Sequence, residues 1–159
     1  GLRFFTFRRS ITIQAEDWRG GREKIGGVTI EVLIPDFKGD ISALEAVAAA
    51  KPDVINHNLE TVRRISPDLR DRATYDRSLF VLRTVKKMDP SILTKSGLMV
   101  GVGETPEEVV ETMEDLRAVG CDILTIGQYL QPSKEHREVH EYVSLDTFEQ
   151  YRETGKQLG

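Results

Sequence analysis

A strand that breaks into glycines and restarts at once as a helix constrains this chain more than any other stretch. Leu93–Val100 reads as a strand, Gly101-Val102-Gly103-Glu104 as a turn, and Thr105-Pro106-Glu107-Glu108 as a helix start. Three signals agree on that start: threonine as N-cap, proline at the first helical position, and Glu108 completing a capping box. Val109, Val110, Met113, Leu116 and Val119 then give the helix an apolar stripe that Gly120 ends. A strand–turn–helix unit of this kind belongs to a parallel α/β sheet, whose functional groups gather at the carboxyl ends of the strands. Glycines at 101 and 103 allow a backbone to approach a ligand where a side chain would intervene.

The same grammar recurs on both sides. Val28–Ile34 reads as a buried strand stopped by Pro35, and Asp40 caps a helix over Ile41–Ala50. Val54–Asn58 is a second strand, and a helix over Tyr75–Met88 carries Leu79, Val81, Leu82 and Val85 on its apolar side. A fourth strand over Asp122–Ile126 follows Gly120, and Ser144 caps a last helix through Leu158. Alternating strands and helices imply right-handed βαβ units. Four strands cannot close an eight-stranded barrel, so the expected fold is α/β with parallel βα repeats, as a half barrel or an open sheet. Residues 1–27 differ in character: aromatic residues mixed with arginines give way to Trp18-Arg19-Gly20-Gly21 and Gly26-Gly27. They read as a peripheral strand or irregular lead-in, set apart from 28–159, with no cleavage signal of a targeting sequence.

Composition removes several functions. The chain has 159 residues, 39% of them apolar and 30% charged, with a net charge of −4. That is a globular balance without the basic field expected of a nucleic-acid binder. No apolar run approaches a membrane span. The single cysteine, Cys121, can neither form an internal disulfide nor supply a zinc or iron–sulfur ligand set. No serine or cysteine sits in a nucleophile elbow.

Polar residues cluster where strands end. Asn56-His57-Asn58-Leu59-Glu60 closes the second strand, Glu104 follows the third, and Gly127-Gln128-Tyr129-Leu130-Gln131 follows the fourth. Alternation puts Asn56 and Asn58 on one face and Ile55 with His57 on the other. Amides and carboxylates at such a rim suit a nucleoside or amino-acid ligand, though each could simply cap a loop. His57 could be a base or ligand but has no partner at ligand spacing. His136 and His140 are four apart, but Pro132, Val139 and Val143 favour a loop there over a chelating helix.

Four blocks carry a family resemblance: Glu31–Asp40 (EVLIPDFKGD), Asn56–Arg63 (NHNLETVR), Thr94–Glu104 (TKSGLMVGVGE) and Gly120–Ser133 (GCDILTIGQYLQPS). In this order they resemble the middle and later part of the lipoyl synthases, a family of the radical S-adenosylmethionine (SAM) superfamily. The third block fits the superfamily's glycine motif, with Met99 where isoleucine is usual. The resemblance implies a partial TIM-like barrel with SAM at the carboxyl ends of its strands. It implies Asn58 and Glu60 near the methionyl and ribose part, and Ser96, Glu104 and the backbone at Gly101 around the nucleoside. It further implies Leu130 and Gln131 near adenine, with Lys95 and Gln128 as further pocket residues.

The family's reaction inserts sulfur at carbons 6 and 8 of an octanoyl chain on a carrier-protein lysine. It uses SAM and two 4Fe-4S clusters, one generating the radical and one giving up sulfur. The cysteine trios that hold those clusters, and a serine beyond the point matching Gly159, are absent from this chain. The expectation is therefore an incomplete lipoyl synthase inactive by itself, with a SAM-binding module lacking catalysis as the alternative. Its partner would be an octanoylated lipoyl carrier domain, not nucleic acid or membrane, in the cytoplasm or, in a eukaryote, the mitochondrion. An apolar sheet edge at 28–34 would favour self-association.

Overall fold

The structure, a computed structural model, describes residues 27–70 and 73–159, so the expectation for residues 1–26 lies outside it. Four parallel strands pair in sequence order: β1 (Glu31–Leu33), β2 (Val54–Asn56), β3 (Leu93–Val100) and β4 (Ile123–Gln128). The connections run through α1 (Ile41–Ala49), α2 (Ser66–Leu69) with α3 (Tyr75–Met88), and α4 (Pro106–Ala118), and α5 (Leu145–Leu158) follows β4. The helix starts are those the side chains dictate. Asp40 accepts from Ser42 N, Ser144 from Thr147 N, and Thr105 and Glu108 form the reciprocal capping box of α4.

Strand ends shift for identifiable reasons. β1 begins at Glu31 rather than Val28 because the Ile30 N–H is taken by the Asp53 carboxylate, 2.8 Å away. The regular part of β2 ends at Asn56, since Leu59 N donates to the Ser96 hydroxyl at 3.1 Å and Glu60 adopts φ +69°. β4 runs two residues beyond Ile126 because its ladder with β3 continues to Val100↔Gln128.

Register decides which side of the sheet is covered. Val32, Ile55 and Thr94 are cross-strand neighbours, as are Ser96 with Leu124, Leu98 with Ile126, and Val100 with Gln128. This parity packs against the helices. Val32, Ile34 and Ile55 meet Leu44 and Val47 of α1 and Val81 and Val85 of α3. Leu98, Val100, Leu124 and Ile126 meet Val109 and Met113 of α4 and Tyr151 of α5. Leu79 and Leu82 of α3 close against Leu116 of α4 over Leu59 and Cys121.

The opposite parity holds Glu31, Val54 and Leu93 in one row and Leu33, Asn56, Lys95 and Ile123 in the next, with Gly97 beside Thr125 and Met99 beside Gly127 above them. Of these residues only Met99, at the upper margin, packs with a helix-side core, and Leu33 is 66% exposed. A doubly wound sheet reverses its strand order and carries helices on both faces. Sequential order with helices on one face is the arrangement of a barrel wall, so the open face corresponds to a lumen. The fold is a partial, TIM-like half barrel.

Candidate functional site

The open face carries charge where a packed core would not. Lys95 Nζ reaches both oxygens of Glu31, at 2.8 and 3.1 Å, and Asn56 Nδ2 donates to Glu31 Oε1 at 3.1 Å. The Lys95 ammonium, followed by the Asn56 amide, holds the Glu31 carboxyl below the usual carboxylate range. Asn56 Oδ1 is buried without a hydrogen-bond partner. One row higher, the Asn58 carboxamide lies across β3 above Gly97, where a Cβ would stand 2.8 Å from Asn58 Oδ1. Gly97 thus holds open the place Asn58 occupies, a role the glycine motif alone does not reveal.

Behind this row, β2 is fastened to the helix layer. His57, 3% exposed, contacts the Ile34 carbonyl through Nδ1 at 2.9 Å and Ser78 Oγ through Nε2 at 2.9 Å. The carbonyl can only accept, so Nδ1 carries the proton and Nε2 accepts from Ser78, which itself accepts from Arg70 at 2.8 Å. Burial lowers the His57 pKa and keeps the ring neutral. Both nitrogens are committed away from the open face, so this histidine is neither base nor ligand there. Ser96, fully buried on the helix side, spends its hydroxyl on Leu59 N. Glu60 sits at φ +69°, a conformation non-glycine residues rarely adopt and one that gathers at functional sites.

The glycine turn at the top of β3 is held from three directions. Glu104, 9% exposed, accepts Gly101 N–H on Oε1 at 2.6 Å and Val102 N–H on Oε2 at 2.9 Å. Arg64 donates to the Gly103 carbonyl at 2.8 Å and pairs with Glu108 at 2.6 Å. His140 N–H donates to the Gly101 carbonyl at 2.8 Å. Gly101 has φ +94°, and a Cβ there would stand 2.5 Å from the Glu141 carbonyl oxygen. The close approach this glycine permits is therefore to the chain's own backbone.

Gln128 points to the helix side and holds the 139–143 segment through its carboxamide. Beyond β4, Leu130 is 65% exposed, and Gln131 Nε2 donates to the His136 carbonyl at 2.8 Å. The structure thus joins Gly101, Glu104 and Gln128 in one hydrogen-bonded unit. Asn58 and Lys95 share the open face, Ser96 lies behind it, and Leu130 and Gln131 stand on the rim.

A family model for the radical SAM superfamily matches residues 6–116, so the match begins inside the lead-in that composition sets apart. The lipoyl synthase of Caldanaerobacter subterraneus subsp. tengcongensis is 58% identical over 86% of this chain and 48% of its own length. That of Caldicellulosiruptor saccharolyticus is 57% identical over 82% of this chain and 46% of its own, and that of Staphylococcus carnosus 53% over 92% and 47%. The chain belongs to the lipoyl synthase family. It spans about half the length of the curated relatives it matches.

Lipoyl synthase membership brings SAM and iron–sulfur clusters as the family's cofactors. The two fit this chain differently. The open face and rim offer amide, ammonium and apolar groups of the kinds that SAM requires. An iron–sulfur cluster needs three or four thiolates, whereas the sequence has one, on Cys121. That thiol is buried among Leu59, Leu116 and Val119, contacts the Thr94 and Ile123 carbonyls, and is pushed up to about 11 by burial. Among the described residues no group of three His, Cys, Asp or Glu is placed to hold a metal ion. A cavity of about 630 Å³ between α4, α5 and β4 lies on the helix side, away from this chemistry. No helix among the described residues is long and apolar enough to cross a membrane.

Proposed function

We propose that this chain supplies the SAM-binding half of a lipoyl synthase barrel, in an enzyme that inserts sulfur at carbons 6 and 8 of a protein-bound octanoyl chain. The observation that carries the reading is 51–58% identity to lipoyl synthases across most of the chain, coupled to a half barrel whose open face bears Asn58 and Lys95. In this reading the Asn58 carboxamide and the Glu60 carboxylate hydrogen-bond the methionyl and ribose hydroxyl groups. The turn carrying Gly101 and Glu104 supports the nucleoside, Ser96 keeps the Asn58–Glu60 loop in place, and Leu130 and Gln131 border adenine. Lys95, held by Glu31, supplies a fixed cation lower in the lumen.

Held by these residues, SAM would supply the hydrogen-abstracting chemistry that unactivated octanoyl carbons require. This chain's own residues position that cofactor and exclude water. The partner would be an octanoylated lipoyl carrier domain, and the setting the cytoplasm, or the mitochondrion in a eukaryote. The thiol count favours binding without cleavage by the chain alone.

Titration calorimetry tests this directly. SAM should bind with a dissociation constant below about 1 mM, in the range usual for enzyme ligands. Asn58→Ala should weaken binding about tenfold, the effect of one good hydrogen bond. No heat with millimolar ligand would end the proposal. Anaerobic reconstitution should leave the chain colourless and SAM intact. A brown protein that cleaves SAM unaided would refute the division between binding and catalysis.

A further inference from the structure

Among the residues that sequence places near the ligand, Gln128 has the most completely used side chain. Its strand parity sends the carboxamide to the helix side, with Leu124 and Ile126. There Nε2 donates to the Tyr129 and Glu141 carbonyls, each at 3.0 Å, and Oε1 accepts Val143 N–H at 2.9 Å. Residues 139–143 have no regular secondary structure, so their backbone groups need partners from elsewhere, and one amide meets several of those needs. The segment so held returns against the glycine turn: His140 N–H donates to the Gly101 carbonyl at 2.8 Å. Tyr129, next to Gln128, donates N–H to the Val100 carbonyl at 2.8 Å and its hydroxyl proton to the Arg137 carbonyl at 2.8 Å. Gly101 is consequently gripped at both ends, its N–H by Glu104 and its carbonyl by the segment Gln128 fastens.

We propose that Gln128 is a positioning residue: through residues 139–143, acting as a strap, it fixes the conformation of the Gly101–Glu104 turn and so tunes affinity for the nucleoside half of the ligand. The second clause rests on the SAM-binding reading above; the first does not. Gly101 and Gly103 both have positive φ, and glycine has many other conformations available. A turn released from its strap spreads over them, and a ligand requiring one conformer binds more weakly in proportion to that conformer's population. Gln128 does this without touching the ligand.

The test compares the full chain with Gln128→Ala and Gln128→Glu by amide hydrogen exchange, alongside binding of SAM, 5′-deoxyadenosine and methionine. Gln128→Ala should speed exchange at least tenfold at Gly101, Val102, His140 and Val143, leaving sheet amides such as His57 unchanged. Dissociation constants for SAM and 5′-deoxyadenosine should rise together, about tenfold, while methionine is unaffected. Gln128→Glu should behave like alanine at pH 7, because a carboxylate cannot donate to the two carbonyls it faces. Near pH 4, about the ordinary glutamate pKa, protonation restores one donor, and protection at Gly101 should partly return once intrinsic rates are allowed for. Unchanged exchange at Gly101 and Val102 in Gln128→Ala, or protection lost throughout the sheet, would overturn the proposal. A wild-type chain that binds no SAM, with the exchange pattern still as described, would remove the SAM reading while supporting the strap.

Discussion

Glu104 braces the turn to which it belongs. Its two oxygens satisfy two turn N–H groups, so Glu104→Ala leaves both without partners in a buried turn. At roughly 1–3 kcal/mol per buried unsatisfied group, the variant should lose about 2–6 kcal/mol, read from chemical denaturation. Gly97→Ala is the complementary case. Its Cβ would meet Asn58 Oδ1, so the side chain must swing away. Stability should change little and SAM affinity should fall as far as in Asn58→Ala.

His57 supplies a pH dependence. Its pKa is lowered in the folded state, so below the unfolded value near 6.5 the unfolded chain binds the extra proton. Its contribution is therefore complete above pH 6.5 and declines as pH falls toward the folded pKa. Thermal midpoints should drop as pH falls below 6.5, with the His57 ring resonance titrating below that value. A His57 resonance titrating near 6.5 would contradict the closed Arg70–Ser78–His57–Ile34 chain.

At the scale of elements, α4 is the one whose sequence and structure agree most closely. Thr105, Pro106 and Glu108 act locally, within one turn, and need no tertiary partner to do so. Thr105→Ala should cost about 1 kcal/mol, measurable as a lower thermal midpoint. The α3 stripe behaves similarly: Leu82, fully buried, joins α3 to α4, and Leu82→Ala should cost about 2–5 kcal/mol. Strand function is harder to read. Lys95 and Ser96 are both implied as site residues by resemblance, yet neighbours in a strand point to opposite faces. The ladder sends Lys95 to the lumen side and Ser96 into the helix layer. Gln128 is separated from Leu124 and Ile126 by even steps, so the apolar alternation already marked it for the helix side.

For the molecule as a whole, the lumen face defines what remains open. Leu33 and Ile123, exposed apolar residues, share a row with Lys95 and Asn56 on a face no helix covers among the described residues. β1 is paired on one side within those residues, leaving a free edge beside that face. We expect the isolated chain to self-associate at micromolar concentration, and Leu33→Lys to suppress it. Sedimentation showing a strict monomer across that range would rule this out.

Sequence by itself determined the four strands, the four longer helices, the caps at Asp40, Thr105 and Ser144, and the family, because propensity, capping and periodicity act within a few residues. Only the tertiary structure decided which face of the sheet is covered, that His57 is sealed behind it, and that Glu31 steadies Lys95 across 64 positions. It also decided that Gly101 makes room for Glu141, a residue 40 positions away, instead of for a ligand. Those contacts join residues far apart in the chain, and their geometry comes from strand register and helix packing, which no local pattern encodes.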